Sequence, residues 1–330
     1  MPQSISKVLS TKLGDCKDLS SLFVALASKA GLQAQLILVD TRDNGVKDMV
    51  LPSMEFNHCI TLVKLNGKDY YLELTDNNLP FASLPYNLNG ALILPVPPYG
   101  QKVSATTITT LQTANRMHDK NIKLINVAVS GKDLKMKVQS KRFGAITSAW
   151  RNDYATLTEE QQNKSFEKFV SDQYKNQVKL ENLSFVGLNQ LTDSLITNYN
   201  YTVKNEVIEA GSMKMIKIPF LDIIASIENF SSDSRQFPIE YWSYENTDMY
   251  ENNIVIDLGA GQKFIEIPES KTYSFKKSTY SIKYVKEGDK LKIYRKVSLQ
   301  RNDILPADYE AFKNFFTNIV ESESKYIVFK

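Results

Sequence analysis

The side chains best suited to nucleophilic or metal chemistry are few: two cysteines, Cys16 and Cys59, and two histidines, His58 and His118. That inventory allows at most one disulfide and argues against zinc sites built from Cys and His, so no metal and no cofactor is expected. It leaves room for thiol chemistry. A thiol attacks a carbonyl as its thiolate, with a base in reach and a third group to hold that base. Cys16 stands where a helix is expected to begin, and a helix N-terminus lowers a thiol pKa from about 8.5. Lys12 and Lys17 add positive charge there, while Asp15 and Asp18 oppose it. His58 opens an expected strand, as an inward-facing base would.

The elements that must position these groups can be read locally. Asp15 suits an N-cap, Leu19, Leu22, Phe23, Leu26 and Ala30 recur at helical spacing, and Gly31 stops the run. Cys16 therefore belongs to the tip of an apolar stripe that faces inward. Residues 35–39, Gln-Leu-Ile-Leu-Val, read as a buried strand. Residues 58–65 and 68–75 flank Asn66-Gly67, the dipeptide that most favours a two-residue hairpin turn. A turn at 66 and 67 sets residue 65 opposite 68 and, counting back, His58 opposite Thr75. Tyr71, Glu73 and Thr75 then share the face of His58, and Glu73 lies diagonally beside it. A carboxylate there would fix the imidazole tautomer, the third role in a Cys-His-acid triad. Asp76 is the fallback acid, on the other face unless the strand ends before it. Cys59 turns away from His58 as a small core hydrophobe. Taken singly, Cys16 reads as a packing residue and His58 as a strand or surface histidine; each gains a chemical reading only from the other.

At 330 residues the chain suits two or three domains. Residues 1–100 alternate helical and strand periods, and Pro85, Pro95, Pro97 and Pro98 crowd their exit. Residues 101–205 are mixed, with strands at 122–129, 134–139, 180–186 and 196–203 around helices at 148–154 and 158–174. Residues 206–330 are nearly all strand until a helix at 307–322, followed by a closing strand. The aromatics of Tyr241-Trp242-Ser243-Tyr244 fit a β-core better than a binding platform, Gly259-Ala260-Gly261 reads as a turn, and His118 is expected to be exposed and inert. Lys and Arg number 40 against 37 Asp and Glu, a net +3 without a basic stripe, so nucleic acid is not an expected partner. The longest apolar runs, such as 19–27, fall short of the ~20 residues of a membrane helix. No acidic cluster has EF-hand spacing, and no export signal is visible at the N-terminus.

Three stretches carry a resemblance: Gly14-Asp15-Cys16-Lys17-Asp18, Phe56-Asn57-His58 and Tyr70-Tyr71-Leu72-Glu73-Leu74-Thr75-Asp76 look like the bacterial transglutaminase-like superfamily. The run from Ile304 to Phe312 is similar to the C-terminal domain of its multidomain members, whose flanking β-rich domains have no known function. The resemblance implies an α+β fold. A papain-like catalytic domain at 1–100 would come first, with a helical lobe shortened at its N-terminus, then a mixed α+β domain at 101–205 and a mostly antiparallel β domain at 206–330. The chain would be the C-terminal portion of a larger protein. Cys16 would be the nucleophile, His58 the base and Glu73 the acid, where the family has Asp. The reaction would be acyl transfer on a protein or peptide substrate, cell-wall peptide included, by a peptidase, amidase or transglutaminase. The alternative is an inactive binding module that kept the fold. A periplasmic or extracytoplasmic location is what the family implies.

Overall fold

The computed structural model describes residues 2–45, 56–97, 107–111 and 114–330. The chain forms two units, Met1–His118 with Thr147–Ala149, and Asp119–Ile146 with Trp150–Lys330. Both mix helices with strands, and strands dominate.

In the first unit, helices α1 (Ile5–Thr11) and α2 (Cys16–Lys29) precede strands β1 (Gln33–Asp40), β2 (His58–Leu65), β3 (Lys68–Leu72), β4 (Leu92–Pro95) and β5 (Thr109–Thr110). These strands form one antiparallel sheet in the order β3-β2-β1-β4-β5. Side chains alternate between its faces. Ile37, Val39 and Ile60 pack on one face with Leu84, Leu88, Ala91 and Ile93. Cys59, Thr61 and Val63 are buried on the other. Helix α2 covers that face, against β1 and β2, and the Ser20 hydroxyl donates to the Cys59 carbonyl at 3.2 Å.

Two local features depart from the sequence reading. The buried positions of α2 are Asp18, Ser20 and Ala27, whereas Leu26 is 50% exposed. Small side chains at the contact let the helix backbone approach closely enough for the Ser20 bond. The hairpin has the expected register, Leu65 opposite Lys68, with Asn66 at φ 49° and Gly67 at φ 73°, the left-handed pair that this turn requires. Its second strand nevertheless stops at Leu72 and not at residue 75. The Thr75 N–H is taken by the Glu73 carboxylate at 2.7 Å, so the ladder ends there.

The second unit runs through β6 (Lys120–Ser130), β7 (Asp133–Phe143), α3 (Ile146–Tyr154), α4 (Glu159–Ser171), β8 (Val178–Val186), β9 (Ser194–Val203), β10 (Ile208–Ala210) and β11 (Met213–Lys217). It continues with β12 (Ile239–Glu240), α5 (Tyr241–Tyr244), β13 (Met249–Asp257), β14 (Phe264–Glu266), β15 (Lys271–Phe275), β16 (Ser278–Glu287) and β17 (Lys290–Ser298). It closes with β18 (Asp303–Ile304), α6 (Tyr309–Glu323) and β19 (Tyr326–Phe329). Eight strands form one sheet in the order β15-β16-β17-β13-β6-β7-β9-β8. Strands from both sides of the expected 205/206 boundary therefore share a sheet, joined by the parallel pair β6 and β13. Phe312, Phe315, Phe316 and Ile319 of α6 are buried in the core of this unit. Tyr241 and Trp242 are buried as well, on a helical turn and not on a strand; Tyr241 meets Phe312 edge to face with ring centres 5.2 Å apart.

Candidate active site

The segment that presents Cys16 is fixed by a reciprocal cap. Asp15 Oδ1 accepts from the N–H groups of Lys17 at 2.8 Å and Asp18 at 3.0 Å, and Asp18 Oδ2 accepts from Asp15 N–H at 3.1 Å. This is a capping box with Asp in the role usually given to Glu. Asp18 also accepts from the backbone N–H of Gln3 at 2.6 Å and from its side-chain amide at 2.8 Å. These two bonds hold its carboxyl below the ordinary value. Gly14 is required by a close approach, because a Cβ there would come 2.7 Å from Asp18 Cβ. Cys16, the first helical residue, is half-buried and free.

His58 is the first residue of β2, opposite Val39 at the end of β1. The strand ends beside it are tied together by Asn57, whose Oδ1 accepts from Thr41 N–H at 3.0 Å and whose Nδ2 donates to Thr41 Oγ1 at 2.7 Å. The imidazole Nε2 is hydrogen-bonded to Glu73 Oε2. Glu73 Oε1 accepts from the Thr75 N–H and from the Thr75 hydroxyl. The Glu73 side chain is 3% exposed and the His58 side chain 19%. Burial opposes ionisation of Glu73, yet the hydrogen bonds from His58 and Thr75 outweigh it and hold the carboxyl below its ordinary value. An imidazole bound this way through Nε2 keeps Nδ1 as a second ring nitrogen not engaged by Glu73.

The profile of the transglutaminase-like superfamily matches residues 1–72, which span the Cys16 helix, His58 and the hairpin. This segment is transglutaminase-like. Residues 214–329 match a second profile, that of a domain of unknown function with solved structures, DUF3858. A comparison with curated proteins gave no match. Among solved structures, the chain is similar to a candidate protease from Parabacteroides distasonis, at 12% identity and a TM-score of 0.53. The alignment covers 100% of this chain and 46% of that one, so the chain spans about half its length. At that identity the likeness concerns the fold.

Just past the matched segment, Glu73 and not Asp76 is bonded to His58. Asp76 Oδ1 accepts from Asn78 N–H at 2.9 Å, beyond the end of β3. Cys59 is buried, and desolvation pushes its thiol up to about 11, which leaves Cys16 as the accessible sulfur. Among the described residues, no hydrogen bond joins the Cys16 thiol to the His58 ring, and no group of three or more Cys, His, Asp or Glu is placed to hold a metal ion. His118 is exposed. The sequence reading gave no role to Gly14, Thr41 or Asn57, and none to the way Thr75 holds Glu73. For Asn57 a signal existed, since it sits beside His58 and extends the β1–β2 register by one step.

Proposed function

We propose that the transglutaminase-like segment is the catalytic part of a cysteine acyl-transfer enzyme acting on peptide or amide bonds. The Cys16 thiolate attacks the amide carbonyl, a C–S bond forms, and the C–N bond breaks as His58 passes its proton to the departing amine. Water or a second amine then cleaves the thioester and releases Cys16. Water makes the protein a peptidase or amidase, a lysine amine makes it a transglutaminase, and hydrolysis is the reading we favour. Glu73 holds the imidazole and stabilises its protonated form. The N–H of Cys16, at the start of α2, is suited to stabilise the tetrahedral oxyanion.

The observation that carries this reading is the His58–Glu73 pair: an imidazole anchored through Nε2 by a buried carboxylate that is itself held by Thr75. Catalytic contacts are often loose before substrate binds, so a thiol and imidazole not yet bonded are compatible with it. The same missing contact favours the rival reading, an inactive binding module. Iodoacetamide alkylation against pH, in wild type and His58→Ala, separates the two. The enzyme reading expects Cys16 to be alkylated preferentially with an apparent pKa well below about 8, and to lose that in the variant. Ordinary thiol behaviour in both proteins would overturn the enzyme reading.

A further inference from the structure

The eight-stranded sheet of the second unit has one apolar face and one polar face. Ile125, Met136, Tyr199 and Ile254 point into the core with Phe166 of α4 and Phe316 of α6. By alternation, Asn126, Lys135, Lys137, Asn200 and Asp257 turn to the other face. The registers set them in two rows that cross the strands. One row is Val255, Asn126, Lys137 and Asn200; the next is Lys290, Asp257, Ala128, Lys135 and Thr202. Ala128 has the smallest side chain in either row, and it lines an open cavity of about 330 Å³. The lining reaches from Lys290 on β17 to Glu181 on β8, five strand spacings or about 24 Å.

The acids on this surface are engaged within the protein, and two of the bases are not. Glu181 accepts from the Thr202 hydroxyl at 2.6 Å. Asp257 accepts from the Gly259 N–H at 2.9 Å and pairs with Lys290 Nζ at 3.4 Å, contacts that hold its carboxyl below the ordinary value. Asp133, whose charge Lys135 feels, is paired with Lys204 at 2.7 Å. Lys135 and Lys137 are exposed and stand about 7 Å apart along β7. Neither makes a hydrogen bond or an ion pair among the described residues, and the side-chain amides of Asn126 and Asn200 make no hydrogen bond among them either. What the groove has left over is positive charge, together with amides that both donate and accept.

We infer that this groove binds a uronate-bearing oligosaccharide. Lys135 and Lys137 take a sugar carboxylate, with charge-assisted bonds that are stronger than neutral ones. Asn126 and Asn200, on the strands either side of β7, take ring hydroxyls, which donate and accept as an amide does. A groove of this length suits a chain of rings and not a lone small anion. A peptide is poorly served, because it binds by pairing with an edge strand or by seating apolar side chains in pockets. Strands β13, β6, β7 and β9 all have neighbours on both sides, and the apolar side chains that the lining turns outward are Val255 and Ala128. The inference does not rest on the acyl-transfer reading, since Cys16 and His58 belong to the other unit.

Calorimetric titration of the full chain with trigalacturonate, its methyl ester, monomeric galacturonate and triglutamate tests this. Trigalacturonate should bind about tenfold more tightly than the ester, which keeps the hydroxyls and loses the charge. It should surpass triglutamate, which keeps the carboxylates and lacks the hydroxyls, and the monomer, which fills one end of the groove. With Lys135→Gln and Lys137→Gln together, affinity for trigalacturonate should fall about tenfold while that for the ester stays unchanged. Absent binding of trigalacturonate, equal binding of the ester or the monomer, or an unchanged affinity in the double variant would overturn the inference. Equal or tighter binding of triglutamate would also overturn it, in favour of an acidic peptide. A second measurement needs no variant. In 15N-labelled protein, trigalacturonate should shift the side-chain amide signals of Asn126 and Asn200 and leave that of Asn163 on α4 in place. Shifts that spare Asn126 and Asn200 put the ligand elsewhere and overturn the inference.

Discussion

Each unit buries charged side chains, and the second ties several of them into one network, although Arg301 there leaves one nitrogen unpaired among the described residues. In the second unit, Ser140, Lys123, Asn252 and Arg295 stand in one row across β7, β6, β13 and β17. Lys123 Nζ donates to Asp222 Oδ1 at 2.6 Å, and Asn121 and Asn252 donate to the same carboxylate at 3.0 and 3.2 Å. Burial opposes ionisation of Asp222, and Lys123 and Arg295 more than offset it. Arg295 grips Glu323 of α6 through Nε at 2.6 Å and through a second nitrogen at 3.0 Å, while a third reaches Asn252 Oδ1 at 2.6 Å. In the first unit the His58–Glu73 pair sits at a sheet end with the imidazole 19% exposed, and Asp40 keeps an oxygen unpaired. A matched network in the interior fixes strand register and helix position. The His58–Glu73 pair, by contrast, stands at a partly exposed edge.

Breaking the matched network should have the largest effect. Arg295→Met strands Glu323 and Asn252, and should cost the second unit about 3–5 kcal/mol in urea unfolding while Cys16 alkylation stays as in wild type. A cost below about 1 kcal/mol would remove the distinction between the units. Gly14→Ala comes next, since a methyl 2.7 Å from Asp18 Cβ forces the cap of α2 to shift; about 1–3 kcal/mol of destabilisation is expected, with slower Cys16 alkylation at neutral pH. For Glu73→Gln the loss should be chemical, about tenfold in His58-dependent alkylation. Its pH dependence follows from the lowered carboxyl of Glu73. The stabilisation is complete above the ordinary value of 4.5 and is lost as pH falls through the folded-state value. Thiol-reagent access to the buried Cys59 should therefore rise on acidification in wild type, and rise less in Glu73→Gln. The smallest effect is expected for Asn57→Ala, about 1 kcal/mol, read as faster amide hydrogen exchange at Thr41.

The His58–Glu73 pairing was legible because its cues are local: an Asn-Gly turn and a two-residue period put Glu73 beside His58. An N-cap likewise marks Cys16 as a helix start. Where β3 ends was not legible, since it depends on Glu73 bonding the Thr75 N–H in place of a ladder partner. Asp40 gave no signal either. A carboxylate at a strand end reads as a surface group until both neighbouring strands and the helix above it are placed.

The sequence by itself determined the helix that presents Cys16, the hairpin register, the order of the candidate groups and the aromatic stripe of α6. Each of these rests on contacts between residues close along the chain. Only the tertiary structure decided that β6 and β13 pair in parallel across the expected domain boundary, that Lys123, Asn252, Arg295 and Glu323 close one buried network, and that Asp40 is left with an unpaired oxygen at the end of β1. Those outcomes depend on residues far apart in sequence whose charges and hydrogen bonds are matched or left over only once the whole sheet is assembled.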